Sequence, residues 1–236
     1  MDDGSFEGLK QRYISNELTH FVGRRLSTED KQFALLVRIL KTGRLLATGL
    51  EREENEDVGA LRFRPGRRFS ENEMYEPSMV CFCDIPVTDL GIHISKYSHF
   101  GLALRKHFLI AKGVAPVFYI PRGSRVQGRT RAMIMDALSG TLKRIAGTED
   151  ERAAITGEWD KLLDTLEWHL FPFFKFFDET TAEEHPDNFY MEREWRRLGN
   201  VFFQLADVTR VIIPESYAAR FRKSIPRYVG QLTFVN

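Results

Sequence analysis

The segment from Met191 to Arg197 carries charged side chains in a pattern that predicts a β-strand. Because side chains alternate between the two faces of a strand, Glu192, Glu194 and Arg196 are predicted to share one face. Such a set either lies at a solvated sheet edge or lines a polar cleft in which the carboxylates are used. Both alternatives remain open from the residues alone. If the strand lines a cleft, the two glutamates are candidate catalytic residues.

A second polar position lies in the predicted first strand, which runs from Glu17 to Val22. His20 would share one face of this strand with two apolar side chains, and Thr19 would point to the other face. A lone histidine in an apolar strand is more often structural than functional, so both roles remain open for His20. The remaining histidines show no mutual spacing typical of a ligand set.

The two cysteines, Cys81 and Cys83, lie in an apolar stretch and are predicted to be small buried thiols. No CxxC or HxxxH pair is present, so we expect no metal site. The GxSxG, GxGxxG and GxxxxGK[ST] patterns are also missing, which disfavours serine hydrolases, dinucleotide-binding dehydrogenases and NTPases. The acidic N-terminus lacks the basic and apolar run of a secretory signal, so we expect a cytoplasmic protein without a disulfide or a membrane span.

A basic segment over residues 61–69 interleaves four arginines with two phenylalanines. This mixture suits phosphate contact combined with base stacking, so it is a candidate nucleic-acid-binding surface. The alternative is a solvated loop whose charges balance the acidic residues of 51–57. The net charge of +1 allows either interpretation. The arginines are Arg62, Arg64, Arg67 and Arg68.

The elements that must position these residues are predicted from hydrophobic periodicity. A helix is predicted between an N-cap at Ser27 and a stop at Gly43, and two helices joined near Gly147 are predicted over residues 129–171. Further strands are predicted at 79–85, 100–104, 116–120, 201–205, 208–213 and 228–235. With 236 residues and 43% hydrophobic composition, the sequence indicates one α+β domain over residues 1–236, with a helical insertion at about 125–175.

Several segments together resemble the AbiGi family of abortive phage resistance proteins, over nearly the whole chain. The resemblance implies a role in anti-phage defence, in a system that pairs a toxin with an antitoxin. The matching segments are residues 14–23, 80–86, 97–101, 115–120 and 191–196.

The order of elements is also similar to the ADP-ribosyltransferase fold, particularly the DNA-modifying DarT group. The similarity lies in a histidine on the first strand, a helix followed by a turn over 40–45, an aromatic second strand and a late strand carrying glutamate. This resemblance implies a mixed, mostly antiparallel central sheet with flanking helices. It also implies that NAD is a substrate, without a metal.

The transferase resemblance assigns tasks to individual residues. Glu194 or Glu192 would stabilise the oxocarbenium-like transition state. His20, assisted by Thr19, would bind the NAD ribose. An aromatic ring from Phe82 or Tyr97 would stack on nicotinamide, and Arg193 or Arg196 would hold phosphate. The arginines of 61–69 would then present a nucleic-acid acceptor.

Three functional hypotheses follow. The first is an ADP-ribosyltransferase-like toxin or effector that modifies nucleic acid or protein, with His20 and Glu194 as catalytic residues. The second is a non-enzymatic antitoxin or sensor, in which Arg193, Glu194 and Arg196 form ion pairs and the aromatic run 171–177 anchors a partner protein. The third is a metal-independent nuclease using His20 and arginines. The first is favoured at this point, because a cleft accounts for the charged strand.

Overall fold

A computed structural model shows two compact units. Unit 1 comprises Met1–Gly43, Phe82–Gly113 and Phe203–Asn236, and unit 2 comprises Arg44–Cys81 and Val114–Phe202. The prediction of a single domain stays a prediction. Within the part of the chain that the structure describes, no helix is both long and apolar enough to cross a membrane. The described residues are 15–47, 61–64, 67–68, 75–124, 133, 136–137, 139–141, 144, 147–182, 185 and 188–235.

The chain combines runs of consecutive strands with separate helices, which confirms the α+β class. The strands are β1 (Glu17–Phe21), β2 (Arg44–Leu45), β3 (Leu61–Phe63), β4 (Tyr75–Pro77), β5 (Met79–Cys83), β6 (Gly101–Arg105), β7 (Ala115–Pro116), β8 (Phe118–Pro121), β9 (Phe174–Phe177), β10 (Glu194–Leu198), β11 (Val201–Phe202), β12 (Val208–Pro214) and β13 (Gln231–Val235). The helices are α1 (Glu29–Thr42), α2 (Gly91–Lys96), α3 (Lys106–Ala111), α4 (Glu149–His169) and α5 (Ala218–Ser224).

Unit 1 is built on a mixed sheet in the order β13, β12, β6, β1 and the end of β5. β12 and β13 run parallel, whereas β12 with β6, β6 with β1, and β1 with β5 are antiparallel. The predicted mixed sheet with flanking helices is therefore confirmed. Its core includes Cys83, Leu90 and Ile212, against which Phe21 and Ile94 pack.

Helix α1 shows why its boundaries were predictable. Gly43 has φ 65°, and its N–H donates to the carbonyl of Ile39 at 2.8 Å, a left-handed helix end that favours glycine. The predicted N-cap at Ser27 is wrong by one residue. Thr28 takes this position, because its hydroxyl accepts a hydrogen bond from the Lys31 N–H at 3.4 Å.

Unit 2 contains β10 between β5 and β7, the antiparallel pair β3 and β4, and the parallel pair β8 and β9. The predicted strand over 116–120 is interrupted, because Val117 separates β7, which pairs with β10, from β8. The aromatic run 171–177 contributes to the core of unit 2: Phe176 is 1% exposed and belongs to an apolar cluster with Tyr75.

The predicted helical insertion is present in part. α4 begins with a reciprocal cap, in which the Thr148 hydroxyl accepts from the Glu151 N–H and the Glu151 carboxylate accepts from the Thr148 N–H. Ahead of it, residues 133, 136–137, 139–141 and 144 are helical. The rest of the first predicted helix lies outside the described residues.

Candidate functional site

The predicted strand over 191–197 begins later than expected. Glu192 ends a 3₁₀ turn, Phe189–Glu192, and β10 begins at Glu194. Arg193, between them, has φ 42°, in the left-handed region that residues other than glycine rarely adopt. The alternation on which the prediction rests therefore does not hold at Glu192. The turn nevertheless brings both glutamates to the same lysine.

Four side chains of unit 2 form a buried cluster, here called the charge network: Lys175, Glu192, Glu194 and Arg196. Lys175, on β9, donates to both glutamates, and its Nζ lies 2.5 Å from Glu194 Oε2. Arg196 holds the same glutamate with two nitrogens, with Nε 2.8 Å from Oε1 and Nη2 3.2 Å from Oε2. A guanidinium favours this two-pronged contact with a carboxylate.

The charge network is shielded from solvent and balanced in charge. The two glutamates are 6% and 7% exposed, Arg196 is 9% exposed, and the Lys175 side chain is 12% exposed. Two carboxylates therefore face two cations. Arg196 also donates to the main-chain carbonyls of Pro172, at 2.5 Å, and Phe174, at 3.4 Å. The network thus connects β10 to the chain that leads into β9.

Electrostatics favour the charged forms of three groups in the network, Glu194, Lys175 and Arg196. Burial alone would raise the pKa of Glu194, but the charges and hydrogen bonds of Arg196 and Lys175 lower it to about 2. Burial likewise opposes the charge on both cations, yet the neighbouring carboxylates raise the pKa of Lys175 and of Arg196. Glu194, Lys175 and Arg196 are therefore charged at neutral pH.

Aromatic and thiol groups surround the charge network. The Tyr119 hydroxyl accepts a hydrogen bond from the Glu194 N–H at 2.6 Å, and Lys175 Nζ lies 4.7 Å from the centre of the Phe189 ring. Burial and the Glu194 carboxylate raise the pKa of the Cys81 thiol well above its ordinary value. A thiol that stays protonated is a poor nucleophile. As predicted, neither cysteine forms a disulfide, although Cys81 is only half-buried.

This geometry suits a structural role better than a catalytic one. Both side-chain oxygens of Glu194 are engaged by cations. Removing one partner of a buried ion pair leaves the other charge uncompensated, which opposes any opening of the network. β10 lies between β5 and β7 and is therefore not a solvated edge. Within the described residues, both glutamates are buried, and their use in a cleft stays a prediction.

Sequence reasoning missed Lys175, although the sequence contained a signal. This lysine interrupts the run Phe173-Phe174-Lys175-Phe176-Phe177. A charge within so apolar a segment must find a counter-charge if the segment is buried, because an unpaired buried charge is costly. The charged segment 191–197, which supplies both glutamates, should therefore have been considered as its partner.

In unit 1, His20 and Phe82 form a cross-strand pair. Thr19 lies opposite Cys83 in the antiparallel register of β1 and β5, so the next pair along places His20 beside Phe82, with ring centres 5.8 Å apart. Thr19 is buried and points to the other face of β1.

Tyr97 lies apart from this pair. Its ring is nearly parallel to that of Phe21, with centres 6.1 Å apart, and the guanidinium of Arg24 lies 5.0 Å from the Tyr97 ring centre. Because His20 and Phe21 are successive strand residues, Tyr97 packs on the face opposite His20. The structure therefore brings together His20 and Phe82, but not Tyr97.

The predicted nucleic-acid segment forms part of the β3 and β4 hairpin. Arg64 Nη2 lies 3.0 Å from a carboxylate oxygen of Glu76, and Arg62 Nη1 lies 3.8 Å from the other. Arg67 and Arg68 are exposed. A counter-charge thus comes from β4, whereas residues 51–57 lie outside the described residues. Nucleic-acid binding stays a prediction.

The candidate residues for NAD chemistry are divided between the units. Thr19, His20, Phe82 and Tyr97 belong to unit 1, whereas both glutamates and Arg196 belong to unit 2. Their roles in binding NAD and in catalysis stay predictions. Within the described ranges, no group of three or more histidine, cysteine, aspartate or glutamate side chains could hold a metal ion.

Comparison with known proteins identifies the family of the chain. A model described as "Putative abortive phage resistance protein AbiGi, antitoxin" matches residues 69–231. A curated relative, "Abortive phage resistance protein AbiGi" from Lactococcus lactis subsp. cremoris, is 30% identical over 141 residues, which cover 52% of this chain and 51% of the relative. The chain thus spans about half the length of that relative. No solved structure matches this chain. Because the family model covers more than half of the sequence, the chain belongs to the AbiGi family.

Proposed function

We propose that this chain is a non-enzymatic antitoxin module of an abortive-infection system, which restrains a cognate toxin by binding it. The observation that carries the proposal is the state of the charge network. Glu192 and Glu194, the candidate catalytic groups, are buried and paired with cations. The description of the family, which names an antitoxin, supports the same conclusion.

The transferase hypothesis requires a glutamate that can contact the substrate, whereas both glutamates are held by cations. A carboxylate that stabilises an oxocarbenium ion must approach the sugar, and Glu194 would first have to leave both Lys175 and Arg196. One observation keeps this second candidate testable. The half-buried His20 ring lies beside the buried Phe82 ring on one face of β1 and β5, and His20 could contact a nucleotide.

Growth assays separate the two candidates. We expect expression of the chain alone to leave bacterial growth unchanged, and co-expression with the toxin of the same defence system to relieve growth arrest. Arrest by the chain alone, abolished by His20→Ala in a variant that keeps its thermal unfolding midpoint, would contradict the antitoxin proposal.

NAD provides a second measurement. A ligand that binds only the folded state raises the unfolding midpoint with its concentration. We expect no rise for the purified chain at about millimolar NAD, with His20→Ala behaving in the same way. A graded rise that His20→Ala removes would establish an NAD site and favour the transferase.

A further inference from the structure

Helix α4 has an apolar stripe directed away from the surface on which the helix packs. Its C-terminal half is anchored to unit 2, because Leu163 is 6% exposed and the Glu167 carboxylate accepts a hydrogen bond from the Tyr75 hydroxyl at 3.1 Å. In contrast, Leu162 is 46% exposed, and the side chains of Ile155 and Trp159 are only partly buried. The helix thus carries apolar side chains in two directions.

The stripe has the spacing of a coiled-coil seam. Ile155, Trp159, Leu162 and Leu166 follow one another at intervals of four, three and four residues, and together they are called the α4 seam. A groove of about 340 Å³ lies along it, lined by Ala154, Ile155, Glu158, Trp159 and Leu162. In a heptad this spacing presents one face to a second helix.

The charge of α4 indicates which kind of helix would fit. Residues 149–169 contain seven acidic side chains and two basic ones, so the helix carries a formal charge of −5. Glu158 lines the groove directly, at a heptad position that flanks the seam and contacts a partner helix. Like charges would oppose a second copy of α4 on the same seam, whereas lysine or arginine beside an apolar stripe would be attracted.

We propose that the α4 seam binds an amphipathic helix of a partner protein, whose apolar stripe is flanked by lysine or arginine. This inference rests on the proposed antitoxin function, because it assigns a surface and a chemistry to the contact with the toxin. Trp159, partly exposed at the centre of the seam, provides the large apolar anchor typical of such interfaces.

The first test uses a synthetic probe. A fluorescent 21-residue helical peptide, of about six turns, carries leucines at heptad spacing flanked by lysines, and a second peptide has glutamates in place of the lysines. We expect the lysine peptide to bind the purified chain about tenfold more tightly than the glutamate peptide, and less tightly at high salt. Equal affinity for both peptides, or preference for the glutamate peptide, would overturn the inference.

Variants locate the binding surface. Trp159→Ala should weaken binding of the lysine peptide about tenfold, whereas Val229→Ala, at a residue of unit 1 that is 93% exposed, should have no effect. Glu158→Lys should weaken it about threefold or more, because it reverses a flanking charge. Asp164→Lys is the matched control: it makes the same charge change half a turn away from Ile155, on the opposite side of the helix. Equal effects of the two lysine variants would refute the seam as the binding surface.

A growth assay distinguishes failure of this inference from failure of the proposed function. If the wild-type chain relieves arrest by its toxin and Trp159→Ala does so equally well, the antitoxin function stands and the seam is not its interface. If the wild-type chain binds the lysine peptide but does not relieve arrest, the binding surface stands and the antitoxin function fails. Sedimentation of the chain alone tests whether a second copy of the chain occupies the seam. A dimer that Trp159→Ala disrupts would assign the seam to this second copy and overturn the inference.

Discussion

Two glutamates of unit 2 show opposite uses of charge. Glu194 is 7% exposed and contacts Lys175 and Arg196, whereas the Glu158 side chain is 75% exposed and pairs with Lys161 one turn along α4. The buried carboxylate of Glu194 is paired with cations on β9 and β10 and thereby links these two strands. The exposed charge stands beside an apolar groove and remains accessible to another molecule. The buried Glu194 therefore stabilises the fold of unit 2. The exposed Glu158, beside apolar side chains, is suited to contact a partner.

The largest expected effect is on stability and comes from removing the buried charge. Glu194→Ala leaves Lys175 and Arg196 uncompensated, so the free energy of unfolding should fall by about 3–5 kcal/mol. Glu158→Ala, the matched control on the exposed surface, should leave stability essentially unchanged. Chemical denaturation of the two variants measures both. A similar small effect of both substitutions would remove the contrast between the two glutamates.

Acid titration tests the same carboxylate. Glu194 has an unperturbed pKa of 4.5 that the folded protein lowers to about 2, so its stabilising contribution is complete above pH 4.5 and is lost as the pH falls towards 2. The difference in unfolding free energy between the wild-type protein and Glu194→Gln should therefore narrow by roughly 3 kcal/mol over this interval. A constant difference would show that the carboxylate is not held by its cations.

A smaller effect is expected from changing the shape of a cation while keeping its charge. Arg196→Lys removes the two-pronged contact with Glu194 and the bonds to main-chain carbonyls, and should lower the unfolding free energy by about 2 kcal/mol. Lys161→Arg on α4 is the exposed counterpart and should have no measurable effect. Denaturation curves of both variants provide the comparison. An unchanged Arg196→Lys protein would mean that charge alone, without geometry, maintains the network.

The smallest expected effect is a gain in stability on α4. Gly157 is exposed within this helix, and a Cβ added there would meet no atom within 4 Å. Gly157→Ala should therefore stabilise the protein by about 0.5–1 kcal/mol and preserve binding of the lysine peptide. Gly43→Ala should instead destabilise the protein, because the added Cβ would lie 2.2 Å from the Phe203 carbonyl oxygen. Thermal unfolding of both variants checks the two directions.

Much of the fold could be predicted because local signals agreed with tertiary structure. Gly43 ended α1 as expected, and the alternating pattern around His20 gave β1. The charge network could not be predicted in full, because its geometry depends on the left-handed backbone of Arg193 and on Lys175, which is distant in sequence. The outward direction of Leu162 was also hidden, since periodicity identifies apolar positions without identifying what covers them.

The turn at Arg193 has a consequence for how this family can vary. One residue more or fewer between Glu192 and Glu194 would rotate one carboxylate away from Lys175 and leave charge buried without its counter-ion. Substitution of the intervening residue is less restricted, because glycine and asparagine adopt the left-handed backbone more readily than arginine. Aligned relatives should therefore preserve the distance between the two glutamates more strictly than the identity of the residue between them, and insertions should be absent at this point.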